Sequence, residues 1–135
     1  MNDTTQSQAG APKCTILVLE DDPIVAMDLA MQVEELGYTV MGPFHDAQSA
    51  SEMISQGLPD AAILDYNLGH DDTSREIAEQ LINARVPVTF LSGYSGDDLL
   101  GPDYTGTYDI LPKPIAQTDL MQRLAQMVDR TKRAL

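Results

Sequence analysis

Glu20, Asp21 and Asp22 stand side by side directly after the apolar run "CTILVL", and Asp65 ends a second such run, "AAIL". Ser92 closes a third, "VPVTFL", and Lys113 follows a fourth, "TYDIL", within "LPKPI". Carboxylates crowded together each become harder to ionise, so the acidic group calls for a cation. A hard, six-coordinate ion such as Mg²⁺ suits oxygen ligands, takes one or two carboxylates and keeps a position open for a phosphate oxygen. Lys113 and Ser92 then provide the positive charge and the hydroxyl donor that the other phosphate oxygens need. Lys113 is the sole basic residue between Arg85 and Arg123.

These residues can act together only if the chain brings the ends of its apolar runs into one place. The runs are short and continuous, as in strands buried on both faces: 14–19, 61–64, 86–91 and 107–111, with "YTVMGPF" (38–44) as a weaker strand that Pro43 places at an edge. Helical patterns alternate with them. Asp22 with Pro23 starts a helix striped by Val25, Leu29, Val33 and Leu36 and closed by Gly37. Asp46 caps one carrying Ala47, Ala50 and Ile54, and after a loop, "YNLGHDD" (66–72), Thr73 with Glu76 forms a T-x-x-E capping box before Ile77, Ala78, Leu81 and Ile82. "SGDDLL" (95–100) reads as a short helix, and 116–132 as a last one with Leu120, Leu124 and Met127 inward. Alternating strands and helices predict an α/β fold with a parallel sheet covered on both sides. In such a sheet, side chains at the carboxyl ends of the strands gather in one crevice.

At 135 residues the chain suits one domain. Its 21 acidic against 8 basic side chains give a net charge of −13, which repels nucleic acid and anionic membranes and favours metal cations or a basic partner. Cys14 is the single cysteine, so no disulfide framework or cysteine-rich metal site is expected. The start lacks signal-peptide order and no run reaches a membrane span, so the chain reads as cytoplasmic. Residues 1–13 offer little to bury and read as a disordered tail; nothing after the last helix provides for an output domain.

"ILVLEDD", "AAILDYNLG", "FLSGY" and "LPKPI", in that order, resemble the receiver domain of two-component response regulators, over nearly all of residues 14–130. The resemblance implies a flavodoxin-like (βα)5 fold over 14–133 with strand order 2-1-3-4-5. It implies that Asp65 accepts a phosphoryl group from a histidine kinase or histidine phosphotransfer protein. Glu20 and Asp21 are then the acidic pair holding Mg²⁺, Asn67 offers its backbone carbonyl to the ion, Ser92 moves toward the phosphoryl group and Lys113 pairs with it. An aspartate can act as a nucleophile toward phosphorus, and the added charge can bias a two-state surface. The expected function is a stand-alone, single-domain phosphoacceptor that switches a protein partner or passes phosphate onward. It is not an enzyme beyond its own phosphorylation and dephosphorylation.

Two departures from the family pattern bear on readout. Three residues before Lys113 the family usually carries an aromatic, and here it is Ile110. "FLSGY" resembles a subgroup whose fourth strand reads Phe-Ala-Thr-Gly followed by Tyr or Gly, with Leu91 and Ser92 in place of Ala and Thr; Tyr94 is the candidate alternative switch.

Other classes fit less well. A hydrolase of the haloacid dehalogenase type needs an acid two residues after its nucleophile, and Asn67, an amide, cannot protonate a leaving group. A flavin protein of the same topology needs phosphate loops without "LEDDP". A receiver-like interaction domain that ignores phosphate has no reason to keep acceptor, acidic pair, hydroxyl and lysine together. Asp22 reads as a helix cap rather than a ligand, His45 and His70 as ordinary polar residues, and Cys14 as a small core residue.

Overall fold

The structure is a computed structural model, and it describes residues 14–93 and 99–133. The strands are β1 (Thr15–Leu19), β2 (Thr39–Phe44), β3 (Ala61–Asp65), β4 (Asn67–Gly69), β5 (Asp72–Thr73), β6 (Val88–Ser92) and β7 (Asp109–Pro112). The helices are α1 (Pro23–Glu35), α2 (Ala47–Ile54), α3 (Arg75–Asn83) and α4 (Gln117–Arg133), with a 3₁₀ turn at Pro102–Tyr104. Five strands form one parallel sheet in the order β2-β1-β3-β6-β7, which is the expected 2-1-3-4-5 order of the main strands.

Alternation along each strand divides the core in two. Leu17 and Leu19 of β1 face a cluster with Ala50 and Ile54 of α2 and Ile77 and Leu81 of α3. Ile16 and Val18 face the other way, against Leu29 and Val33 of α1 and Leu120, Leu124 and Met127 of α4. Successive strand side chains point to opposite faces, so an apolar run satisfies both layers of helices at once. Strand β2 lies at the edge, where Pro43 removes no central ladder bond.

The helix ends follow local chemistry. Asp22 accepts from the amides of Ile24 and Val25, and Asp46 from that of Ser49. α1 closes on Gly37 (φ 98°), with Gly37 N–H donating to Glu34 and Tyr38 N–H to Val33. α3 closes in the same way on Arg85 (φ 67°), with Val86 N–H donating to Leu81. That bond ties Val86 to the helix, so β6 starts at Val88 rather than at 86.

Three local expectations are corrected. The T-x-x-E box does not form: Thr73 pairs with Asn67 in the β4–β5 ribbon, its hydroxyl accepts from Arg75 N–H at 3.3 Å, and Ser74 takes the N-cap position without a side-chain bond. The buried face of α1 is Ala26, Leu29, Ala30 and Val33, while Val25 is 41% exposed, because the stripe is centred on Leu29 and Ala30. The segment after Asp65 is an antiparallel ribbon rather than a plain loop, turning through His70 (φ 50°) and Asp71 (φ 62°), residue types that tolerate the left-handed region. The tail at 1–13, Tyr94 and most of "SGDDLL" lie outside the described residues.

Candidate functional site: an acidic crevice at the carboxyl end of the sheet

Parallel pairing puts the carboxyl ends on one edge, and the register sets Leu19 beside Leu64, Asp65 beside Leu91 and Ser92 beside Pro112. Leu19, Asp65, Ser92 and Pro112 are the last residues of β1, β3, β6 and β7, and Glu20 and Lys113 follow directly. The result is a cleft of about 930 Å³ lined by Glu20, Asp21, Asp65, Asn67, Ser92 and Lys113 among others. The sequence residues expected to meet there are all brought together.

Carboxylate oxygens of Glu20, Asp21 and Asp65 lie within 4.8 Å of one another. Glu20 and Asp65 are buried, at 2% and 4% exposure, whereas Asp21 is exposed. Lys113 Nζ stands 3.1 Å from Asp65 Oδ1 and 3.7 Å from Glu20 Oε1. Ser92 is buried at the end of β6, and its carbonyl accepts from Lys113 N–H at 3.0 Å, which anchors the lysine backbone to the neighbouring strand. Asn67 lines the cleft with its side-chain oxygen turned back to accept from Gly69 N–H at 3.1 Å.

The electrostatics follow from burial. Loss of water raises the Glu20 carboxyl from 4.5 to about 7; the Asp22 N–H bond to Oε2 opposes this, and neighbouring Asp21 and Asp65 add to it. Burial also raises Asp65, although Lys113 pulls the other way. For Lys113, burial disfavours the ammonium, but the combined pull of Asp65, Glu20 and Asp21 outweighs it and the pKa rises. One ammonium thus faces three carboxyl groups.

This donor set fits a hard divalent cation. Glu20 Oε1 is buried and, apart from the 3.7 Å ion pair with Lys113, has no hydrogen-bond partner among the described residues, and a buried polar atom without a hydrogen bond is costly. Carboxylate oxygens from Glu20, Asp21 and Asp65 could share such an ion, which would also relieve their mutual repulsion.

Two contributors were not legible in the sequence. His45, treated there as uninformative, places Nδ1 3.0 Å from the Glu20 carbonyl oxygen, while Glu20 N–H donates to the Phe44 carbonyl at 2.9 Å, so the β2 end holds the Glu20 backbone from both sides. Gly69 has φ 80°, and a Cβ there would lie 3.3 Å from Asp21 Oδ2. Neither carries a local signal, since each depends on a residue more than twenty positions away. His70 sits exposed on the ribbon turn.

Comparison with known proteins agrees in extent. Residues 16–125 match the response regulator receiver domain. The transcriptional regulatory protein PdtaR of Mycobacterium tuberculosis is 30% identical over 129 residues, which are 94% of this chain and 62% of that protein; the chain thus spans less than two thirds of this curated relative. The solution structure of SdrG from Sphingomonas melonis Fr1 is 31% identical, superposes with a TM-score of 0.70 and covers 86% of this chain and 97% of that one. The N-terminal domain of a response regulator/sensory box/GGDEF 3-domain protein from Carboxydothermus hydrogenoformans gives a TM-score of 0.76 at 22% identity, covering 89% and 98%, and speaks to the fold.

Proposed function

Since the chain belongs to the response regulator receiver domain family, we propose that it is a Mg²⁺-dependent phosphoacceptor that takes a phosphoryl group on Asp65 from a phosphohistidine donor. The observation that carries this reading is the Asp65 carboxylate, buried beside Lys113 at 3.1 Å and grouped with Glu20 and Asp21. An Asp65 oxygen forms the new P–O bond while the donor's P–N bond breaks, and the electron pair leaves with the imidazole. Lys113 holds the developing charge on a phosphoryl oxygen, and the Ser92 hydroxyl donates to another. Glu20, Asp21, Asp65 and the Asn67 carbonyl would hold Mg²⁺, which when bound supplies charge compensation for the phosphoryl oxygens.

The donor reaches Asp65 across α1. Ile24 (81% exposed), Val25, Met27 and Met31 are exposed apolar side chains on α1, and Val25 among them lines the cleft, a surface suited to a helical donor carrying a phosphohistidine. The partners are thus a histidine kinase or phosphotransfer protein upstream and a protein target downstream, in the cytoplasm. No described helix is long and apolar enough to cross a membrane. "FLSG" at 90–93 supports placement in the subgroup with the Phe-Ala-Thr-Gly fourth strand.

Incubation with a small-molecule phosphodonor and Mg²⁺, read by intact mass, tests the acceptor. Native protein is expected to gain one phosphoryl adduct and Asp65→Asn none. Equal adducts on both would place the phosphate elsewhere.

A further inference from the structure

The aliphatic side chain of Ile110 has no polar atom with which to bond the crossover between β6 and β7. Two other side chains do so. Tyr66, the residue after Asp65, donates its hydroxyl to the Leu99 carbonyl at 3.3 Å, and Leu99 N–H donates to the Tyr108 hydroxyl at 2.9 Å. Both polar groups of the Leu99 backbone are thus held by tyrosines from different strand ends. The next residue is held as well, because Arg75 donates to the Leu100 carbonyl at 3.1 Å while the Leu100 side chain is buried in the core.

The two tyrosines meet on a shared ring. Phe90 is fully buried, and Tyr66 and Tyr108 pack edge-on against it with centroids 5.5 and 5.2 Å away. Phe90 lies two residues before Ser92 on the same face of β6, so a movement of that strand end toward a ligand on Asp65 bears on this ring. The Tyr66 backbone is tied to the same strand end, its N–H donating to the Leu91 carbonyl at 3.2 Å. A close-packed core shifts in discrete steps rather than absorbing such a displacement.

We propose that Tyr66 is the coupling residue of this receiver: through Phe90 and its hydroxyl bond to Leu99, it reports the state of Asp65 to the crossover at 99–101, with Tyr108 as the second holding point. The inference rests on the reading of Asp65 as the acceptor. Tyr66 is a positioning residue and takes no part in phosphoryl transfer.

The test uses ¹⁵N-labelled full chain with Mg²⁺, before and after addition of beryllium trifluoride as a phosphoryl mimic. In native protein the amides of Gly93 and Lys113 are expected to shift, and with them those of Leu99, Leu100 and Gly101. In Tyr66→Phe, which keeps the ring but removes the hydroxyl, the site amides still shift and the 99–101 response is lost. Tyr104→Phe, whose hydroxyl accepts instead from Asn83 at 3.2 Å, retains the full response. If Tyr66→Phe does not fold, Tyr108→Phe carries the same expectation. A native-sized 99–101 response in the tyrosine variant, or native site amides that shift while 99–101 stay still, overturns the coupling and leaves the acceptor intact. If no native amide responds, the acceptor reading fails and the coupling falls with it.

Discussion

Lys113 Nζ lies 3.1 Å from Asp65 Oδ1, and among the described residues it is the one cation paired with this acidic group, which otherwise repels itself. The two lie 48 positions apart in sequence, yet each sits at the carboxyl end of a strand in the same sheet, with β6 between those strands. Lys113 is therefore a partial counter-ion to the acidic group, and under the proposed phosphorylation it would bind the phosphoryl oxygens.

Replacing Lys113 by Ala leaves the acceptor in place but removes one preorganised donor. The rate of adduct formation from a small-molecule phosphodonor is expected to fall by about a hundredfold, the usual effect of losing one such group. Time-resolved intact mass gives the rate, and a native rate in Lys113→Ala would remove the lysine from the mechanism.

Glu20 makes metal-free stability depend on pH. Its folded pKa is raised from 4.5 to about 7, so the folded state binds the proton more tightly than the unfolded chain. Stability is fully present below pH 4.5 and is lost as pH rises through 7, because a buried charge must then be carried; Asp65 is raised in the same sense. The loss from Glu20 is at most about 3 kcal/mol. Lys113 adds no slope in this window, since the stability from its raised pKa is fully present below 10.5 and is lost only at higher pH. Urea unfolding in EDTA from pH 5 to 8 should show the decline, and Glu20→Gln should flatten it; a native-like slope in that variant would point to another group.

Mg²⁺ should reverse that loss. At about a hundredfold excess over its Kd, a ligand specific for the folded state adds roughly 3 kcal/mol. The gain in Tm is expected to be larger at pH 8 than at pH 5.5, where protons occupy the same oxygens, and EDTA should abolish it. Asp21 is exposed, so Asp21→Asn folds normally and should lose the Mg²⁺ response. An undiminished shift in Asp21→Asn would exclude that carboxylate from the site.

Asp22 separates capping from ligation. Its side chain accepts from Ile24 and Val25 amides, while its own backbone N–H donates to Glu20 Oε2. Asp22→Ala removes the first pair and keeps the last bond, so stability should drop by about 1 kcal/mol while Mg²⁺ affinity holds. A loss of affinity comparable to that of Asp21→Asn would make Asp22 a ligand.

Much of this molecule is written locally. The continuous apolar runs at β1, β3 and β6 specify strands buried on both faces, and helical patterns between them require parallel pairing. Parallel pairing places every carboxyl end on one edge, so acids at the ends of β1 and β3, a serine at the end of β6 and a lysine after β7 converge without further information. The caps at Asp22 and Asp46 and the stop at Gly37 are equally local, because each involves backbone groups within four residues.

What only the tertiary structure decided depends on partners distant in the chain. Thr73 carries the sequence of a helix cap but is drawn into a ribbon by Asn67, and α1 turns Ala26 rather than Val25 inward because the layer beneath it sets the phase of the stripe. The high pKa of Glu20, the His45 contact to its carbonyl and the Tyr66–Phe90–Tyr108 stack likewise arise where β1, β2, β3, β6 and β7 meet. A local pattern encodes whether a side chain is buried; strand order and register determine what it is buried against, and that neighbour sets its charge and its hydrogen bonds.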